Sequence, residues 1–359
     1  MHPQPNDLPR PPQGEPGAQR PRRRPRYSGK YPRRFDQKYK EHDPQLFPET
    51  ARKVLESGKT LAGSHRPVMV EQILAILAPK PGEIAVDCTL GYGGHARALL
   101  PGLVPGGKYL GLDQDLIELP RTETRLRAEG FGPELLTVWR CNFAGLGAAL
   151  ARFGISAADI VLADLGVSSM QLDNPARGFS HKQAGPLDMR MNPSRGRPAS
   201  AFLQAIGSVE LAQVLEANAD EPFARQLADA LAGRLFETTR ALATRILDVL
   251  SSVPRAEAEL SLRRTFQALR IAVNDEFSAL DALLRQLPAC LKPGGRVAIV
   301  SFHSGEDRRV KKAFAAGLRG GLYSAVSTEV VRATPAEQYA NPRSGSAKLR
   351  WAIRGGVGA

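Results

Sequence analysis

Two carboxylates and a run of glycines stand at the spacing that nucleoside binding requires. Asp87 leads into Cys88-Thr-Leu-Gly91-Tyr-Gly93-Gly94, and Asp113 follows 22 residues after Gly91. Glycines let a backbone approach a ligand closely, and a carboxylate ending the next strand can accept hydrogen bonds from ribose hydroxyls. The pattern points to a nucleoside-bearing cofactor. Gly91, Gly93 and Ala96 also satisfy a loose G-x-G-x-x-A, so a nicotinamide dinucleotide competes with a sulfonium methyl donor. Asp87, placed to hold a cofactor's amino-acid part, and the absence of a hydride-transfer constellation favour the methyl donor. His95 reads either as a cofactor contact or as a helix-start residue donating to a nearby carbonyl. Phe143 reads either as a rest for an adenine or as an ordinary core residue.

A second concentration of chemistry runs from Asp164 to Met191, DLGVSSMQLDNPARGFS, then HKQA, then GPLDMRM. It is too rich in Gly and Pro for regular structure, and it follows a short apolar strand. Such strand-end loops in α/β domains usually carry the chemistry. Arg177, Lys182, Arg190, Arg195 and Arg197 cluster here and suit RNA phosphates, with a solvated charged loop as the plain alternative. Asp188 is a candidate hydrogen-bond acceptor, unless it pairs with Arg190 or Arg177. His303, in Ser-Phe-His-Ser after another strand, is a candidate base-positioning or proton-handling group, or a satisfied structural histidine.

The elements that must position these residues alternate. Strands are expected at Glu83 to Cys88, Lys108 to Asp113, Leu135 to Cys141 and Ile160 to Asp164, with helices between them, which implies a parallel sheet covered by helices. From about residue 199 to 262 strand character disappears. Leu227, Leu231 and Leu235, then Leu242, Ile246 and Leu250, fall at helical spacing and indicate a helical insertion. Phe266, Leu269, Val273, Phe277, Leu280, Leu284 and Leu287 form one apolar stripe along a single long helix. Arg296 to Ser301 is a further strand, and Tyr323 to Val331 and Leu349 to Ile353 close the sheet with an antiparallel edge.

Composition narrows the class. The chain has 359 residues and 42% hydrophobic content, room for a full core. It shows neither a membrane-length apolar run nor a signal peptide, so a cytoplasmic location is expected. Cys88, Cys141 and Cys290 are far apart, with no CxxC pair, which supports neither a disulfide framework nor a zinc ribbon; no metal is expected. The formal charge is +13, but residues 1–40 hold eleven Lys and Arg against three Asp and Glu, and nine of the 28 prolines. Residues 1–62 therefore read as a basic, proline-rich disordered tail. Within it Tyr27, Tyr31, Phe35 and Tyr39 recur among the cations, as a flexible RNA-contacting arm or a solvated extension.

Taken together, the motifs carry a resemblance. HRPVMVEQ from His65, DCTLGYGGHA from Asp87, ADLGVSSMQLDNPARGFS from Ala163 and GPLDMRMNPSRG from Gly185 are similar, in order and spacing, to blocks of the bacterial small-subunit ribosomal RNA cytosine-N4 methyltransferases. TFQALRIAVNDE from Thr265, LKPGGRVAIVSFHS from Leu291 and NPRSGSAKLR from Asn341 continue the match. The resemblance implies an α/β, Rossmann-like class I methyltransferase with a mostly parallel seven-stranded sheet and an inserted helical subdomain. Residues 63–175 and 264–359 would form the methyltransferase domain, and 176–263 an inserted, RNA-facing loop and helical subdomain. It implies S-adenosyl-L-methionine bound by Gly93, Gly94, His95, Asp113, Phe143, Asp164 and Gln171. The acceptor would be a decoding-region cytidine of 16S rRNA, in the small ribosomal subunit or a late assembly intermediate.

Chemistry adds its own requirements. A cytosine amine is a poor nucleophile, so transfer needs in-line positioning and an acceptor for the amino N–H. Many amino methyltransferases place Asp/Asn-Pro-Pro-aromatic at this strand end; here Asp164 opens Asp-Leu-Gly-Val-Ser-Ser, so the acceptor does not carry over from them. Asp188 and His303 are the substrate-side candidates. Three departures from the family's pattern also stand out. Ala184 replaces the usual Asp before GPLDMRM, Gly305 the usual Leu in SFHSLEDR, and no His-Pro precedes TFQALR. They motivate alternatives: a ribosome-assembly or RNA-binding factor without catalysis or, from the glycine turn, a nicotinamide-dependent oxidoreductase.

Overall fold

A computed structural model describes residues 67–356, so the expectations for the 1–62 tail lie outside the described residues. The sheet is built from β1 (Ile84–Asp87), β2 (Lys108–Asp113), β3 (Leu136–Arg140), β4 (Ala158–Asp164), β5 (Leu291–Ser301), β6 (Tyr323–Val326) and β7 (Lys348–Arg354). Their order is β3-β2-β1-β4-β5-β7-β6. The first five run parallel, and β7 runs antiparallel to both β5 and β6. This is the Rossmann-like class I methyltransferase sheet. Strand β4, Ala-Asp-Ile-Val-Leu-Ala-Asp, is almost wholly buried, as a central parallel strand covered on both faces must be. Expected strand limits hold within a residue or two except at β5, which begins at Leu291, five residues before the expected Arg296, and at β6, which ends at Val326; Val331 makes only an isolated bridge to Leu349.

Strand order reverses between β1 and β4, and the crevice there lies outside the strands' carboxyl ends. Asp87, Asp113 and Asp164 are the last residues of β1, β2 and β4, so the topology gathers three carboxylates at one edge. Helices α1 (Val70–Leu77), α2 (Gly94–Leu103), α3 (Glu118–Ala128) and α4 (Leu146–Arg152) flank this half. A short α5 (Ser169–Asp173) follows β4.

Between β4 and β5 lie α6 (Ala199–Ala205), α7 (Ser208–Ala219), α8 (Ala224–Leu231), α9 (Thr239–Val249), α10 (Arg255–Asn274) and α11 (Glu276–Cys290). Leu227, Leu231, Leu242, Ile246 and Leu250 bury into a cluster of their own with Phe266 and Leu269. Leu235 does not join them: the chain turns at Gly233 (φ 70°), and Leu235 is 54% exposed. The single long helix expected over 266–287 is also two. Asp275 adopts φ 51°, which closes α10, and α11 leaves in a new direction. Phe266 and Leu269 therefore pack in the inserted cluster, while Leu280, Leu284 and Leu287 pack beneath the sheet. Apolar spacing alone does not reveal such a break, because both helices keep their stripes in phase. Helix α12 (Ser304–Arg319) follows β5, and α13 (Pro335–Ala340) precedes β7.

Candidate active site

A cleft of about 420 Å³ opens at the carboxyl ends of β1, β2 and β4. Its floor is the glycine turn, where Gly91 (φ 49°) and Gly93 (φ 76°) occupy the left-handed region. A Cβ on Gly94 would stand 2.9 Å from Pro67, so the turn has no room for a side chain there. Asp113 borders the cleft: Oδ2 accepts from Gly91 N at 2.8 Å and Oδ1 from Asp115 N at 2.8 Å. Those bonds fix the carboxylate while leaving lone pairs for a ligand's hydroxyls. Burial raises its pKa to about 6. Asp87 lies deeper than expected. It is 1% exposed, its oxygens are taken by Tyr109 Oη (2.9 Å) and Thr89 N (3.0 Å), and it supports the turn from below.

Gly94, His95, Phe143, Asp164 and Gln171 all line the same cleft, and Gly93 sits behind it against Leu126 and Thr122. His95 meets a nearby carbonyl, as one of its two readings has it, while lining the cleft. Nε2 lies 2.9 Å from Val68 O, which can only accept, while Nδ1 stands 3.8 Å from Asp164 Oδ2. Asp164 Oδ1 is buried without a hydrogen-bond partner. Burial pushes this carboxyl up to about 6, against the opposing influence of His95. A carboxylate oxygen with no partner beside a cleft is available to an incoming N–H.

Gln171 Nε2 donates to Asp115 Oδ2 at 2.7 Å, and Arg177 Nη1 donates to the same oxygen at 3.0 Å. Arg177 Nη2 reaches on to the carbonyls of Arg190 (3.2 Å) and Met191 (2.9 Å). This corrects the expectation that Arg177 faces RNA: it is 9% exposed, and its guanidinium ties the Asp115 side of the cleft to the 190–191 carbonyls. The polypeptide around it crosses itself tightly. A Cβ on Gly185 would stand 1.8 Å from Pro175 O, and one on Gly178 (φ 72°) 2.2 Å from Pro186 O. Hence the glycines of NPARG and GPLDM.

Both substrate-side candidates stand off the cleft wall. Asp188 is not part of the cleft wall; Arg190 Nε and Nη2 grip its two oxygens at 2.8 and 2.7 Å. Burial raises this carboxyl, but the Arg190 hydrogen bonds prevail and hold it below the ordinary range. His303 also stands behind the wall. It caps α12, accepting from Glu306 N through Nδ1 (3.4 Å), with Nε2 3.4 Å from Glu306 Oε1. Lys182, Arg195 and Arg197 are exposed on the 180–197 segment.

Neither Ala184 nor Gly305 touches the cleft. Ala184 is exposed. Gly305 is packed against Phe277, whose Cζ would be 2.6 Å from a Cβ there, so the ring fills the space of the missing side chain. Helix α10 runs unbroken through Arg263-Arg264, ahead of TFQALR, where the family's His-Pro is missing. Arg270, Asn274, Glu276 and Glu306, not anticipated from sequence, complete the far wall. Arg270 and Asn274 are four apart on α10, a polar pair that the apolar stripe beside it obscured.

The chain matches the MraW methylase family over residues 62–354. The chain belongs to that family. Among its relatives is the ribosomal RNA small subunit methyltransferase H 1 of Lachnoclostridium phytofermentans, 46% identical over 342 residues, with 93% of each chain covered. Another is the ribosomal RNA small subunit methyltransferase H 2 of Alkaliphilus metalliredigens, 46% identical over 341 residues, with 92% of this chain and 97% of the relative covered. As a member of the MraW methylase family the chain is a methyltransferase, and this cleft is its candidate site. No described helix is long and apolar enough to cross a membrane.

Proposed function

We propose that this protein transfers a methyl group from S-adenosylmethionine to the exocyclic N4 amine of a cytidine in the decoding region of 16S rRNA, in the small subunit or a late assembly intermediate. The observation that carries the reading is the unpartnered Asp164 Oδ1, placed at the end of β4 in a cleft whose other end is a nucleoside cradle. The names of the relatives supply the class of RNA.

The residues present fit the cofactor. Asp113, fixed by two backbone N–H groups, suits the ribose hydroxyls; Phe143 suits the adenine; the backbone from Gly93 to His95 suits the amino-acid part; Gln171 and Asp164 close the site. Bound there, S-adenosylmethionine supplies an electrophilic methyl carbon on a sulfonium. Asp164 accepts one amino hydrogen of the base, which returns electron density to a nitrogen whose lone pair is delocalised into the ring. As the new N–C bond forms at the expense of the methyl–sulfur bond, whose electron pair stays on sulfur, positive charge develops on the base, and the Asp164 carboxylate stabilises it. The amine's proton passes to Asp164 and from there to water. Asp188 and His303 act indirectly in this scheme, Asp188 by shaping the 188–190 turn with Arg190 and His303 by orienting Glu306.

An exocyclic amine paired inside a helix is inaccessible, so the target base must be unpaired or extruded. Lys182, Arg195 and Arg197 are free to hold its phosphates, with residues 176–263 as the RNA-facing part and 63–175 with 264–359 as the methyltransferase part. Because Ala184 and Gly305 lie off the cleft, catalysis is preferred to a binding-only role. The test is incubation of the protein with labelled S-adenosylmethionine and small subunits lacking the modification. N4-methylcytidine should appear in the digested RNA, and subunits that take up no label would overturn the reading.

A further inference from the structure

Past Asp164 the cleft has a charged wall to which none of the proposed cofactor contacts belongs. Arg270 lies four residues before the end of α10, Glu276 begins α11, and Glu306 lies in the first turn of α12, just after β5. In the sheet, β4 separates β5 from β1 and β2, the strands that carry the nucleoside cradle. The β5 side is therefore where the methyl acceptor must enter.

This wall holds a donor and an acceptor. Arg270 Nε and Nη2 donate to the two Glu276 oxygens at 2.8 Å each, and its Nη1 has no partner among the described residues. Glu306 is 3% exposed; Oε2 accepts from Phe302 N at 3.0 Å, and each oxygen keeps lone-pair capacity. Burial raises this carboxyl, but His303, 3.4 Å away, and the Arg270 charge outweigh it and hold it below the ordinary range, so Glu306 stays an ionised acceptor. Glu306 in turn raises Asp164, so the two carboxylates feel each other across the cleft.

Cytosine presents an acceptor, N3, beside a donor, the N4 amine. Uracil presents the reverse, an N3–H donor beside the O4 acceptor. An arginine donor next to a carboxylate acceptor matches the first pattern and opposes the second.

We propose that Arg270 and Glu306 read the Watson–Crick edge of the target base: Arg270 Nη1 donates to N3, and Glu306 and Asp164 accept one amino hydrogen each. Both in-plane hydrogens are then held, which leaves the amine's out-of-plane face toward the methyl. Uracil in the same position would set its O4 against two carboxylates and its N3–H against a guanidinium. Sites built to hydrogen-bond one pattern strongly reject ligands that leave buried charges unpaired.

The inference rests on the cytosine-N4 reading, and the experiment separates the two. If wild-type protein methylates subunits at a position other than cytidine N4, the proposed function fails. If N4-methylcytidine forms, Glu306→Gln tests the wall, because the amide keeps the shape and can still accept from Phe302 N while turning one acceptor into a donor. The expected result is a loss on the order of 100-fold in kcat/KM for subunits, with S-adenosylmethionine affinity within about twofold of wild type. Cytidine monophosphate should inhibit wild type more strongly than uridine monophosphate, and Glu306→Gln should lose that preference. Full kcat/KM in a cofactor-binding Glu306→Gln protein, or no preference between the nucleotides in wild type, would overturn the proposal. Should Glu306→Gln fail to fold, Arg270→Lys carries the same test: it keeps the charge but lacks the fork that grips Glu276 and presents Nη1 at once.

Discussion

Asp164 sits in surroundings that suit the proposed acceptor role at some cost to stability. Burial lifts its carboxyl to about 6, above the 3.8 of an ordinary aspartate. A folded pKa above the unfolded one means that the folded protein binds the proton more tightly. This contribution to stability is complete below about pH 4 and is lost as pH rises through about 6. The acceptor role has the opposite requirement, an ionised oxygen, which is populated only above that pKa. Activity should therefore fall about tenfold per pH unit below pH 6 and level off above it, in kcat/KM profiles with unmodified subunits. Asp164→Asn should remove that limb, lower the rate on the order of 100-fold or more, and leave the cofactor-free protein no less stable at pH 7. A variant that kept the wild-type pH limb would exclude Asp164 as the acceptor. The placing of Asp113 and Asp164 at strand ends was legible in the chain, because each closes an apolar strand. Their partners were not: Gly305 is conspicuous as a departure, yet the Phe277 ring that fills its space lies 28 residues away on a different helix.

At the scale of elements, the cleft depends on connections between segments more than on any one segment. Arg177 joins Asp115, beside the start of α3, to the 190–191 carbonyls, while Asn274 at the end of α10 accepts from Met191 N at 2.7 Å and donates to Met189 O at 2.8 Å. The GPLDMRM segment is thereby fixed to both walls. Sequence showed the cations of this region but not which of them are internal. A buried strut and a phosphate ligand have the same composition, and only packing separates them. Arg177→Met should leave the 3%-exposed Asp115 carboxylate without its cation, at a cost of about 3 to 5 kcal/mol in urea unfolding. Adding Asp115→Asn should recover part of that loss, since the uncompensated charge goes with it. If Arg177→Met unfolded like wild type and only weakened RNA binding, the guanidinium would belong to the RNA interface after all. The helix break at Asp275 was equally hidden, though it aims Glu276 at Arg270.

Over the whole molecule, charge and shape are distributed differently. The net +13 is concentrated in the first 40 residues, while around the cleft most cations are consumed by carboxylates: Arg177 by Asp115, Arg190 by Asp188, Arg270 by Glu276, Arg343 by Asp173. Lys182, Arg195 and Arg197 remain exposed on the 180–197 segment. Recognition by such a surface should be led by shape, with phosphate attraction coming from a few folded cations and from the basic N-terminal residues. Each phosphate neutralised on single-stranded RNA contributes about −0.7 to the slope of log K against log salt. Replacing Lys182, Arg195 and Arg197 together with Gln should therefore make the slope shallower by about 2, measured as subunit binding over a salt series. Cofactor affinity should be unchanged, since none of the three lines the cleft. Removing residues 1–40 should flatten the slope further while leaving the saturated turnover rate intact, because those charges serve encounter and retention and take no part in the chemistry. A slope that survives both changes would place the RNA on a different face and detach the 180–197 segment from recognition.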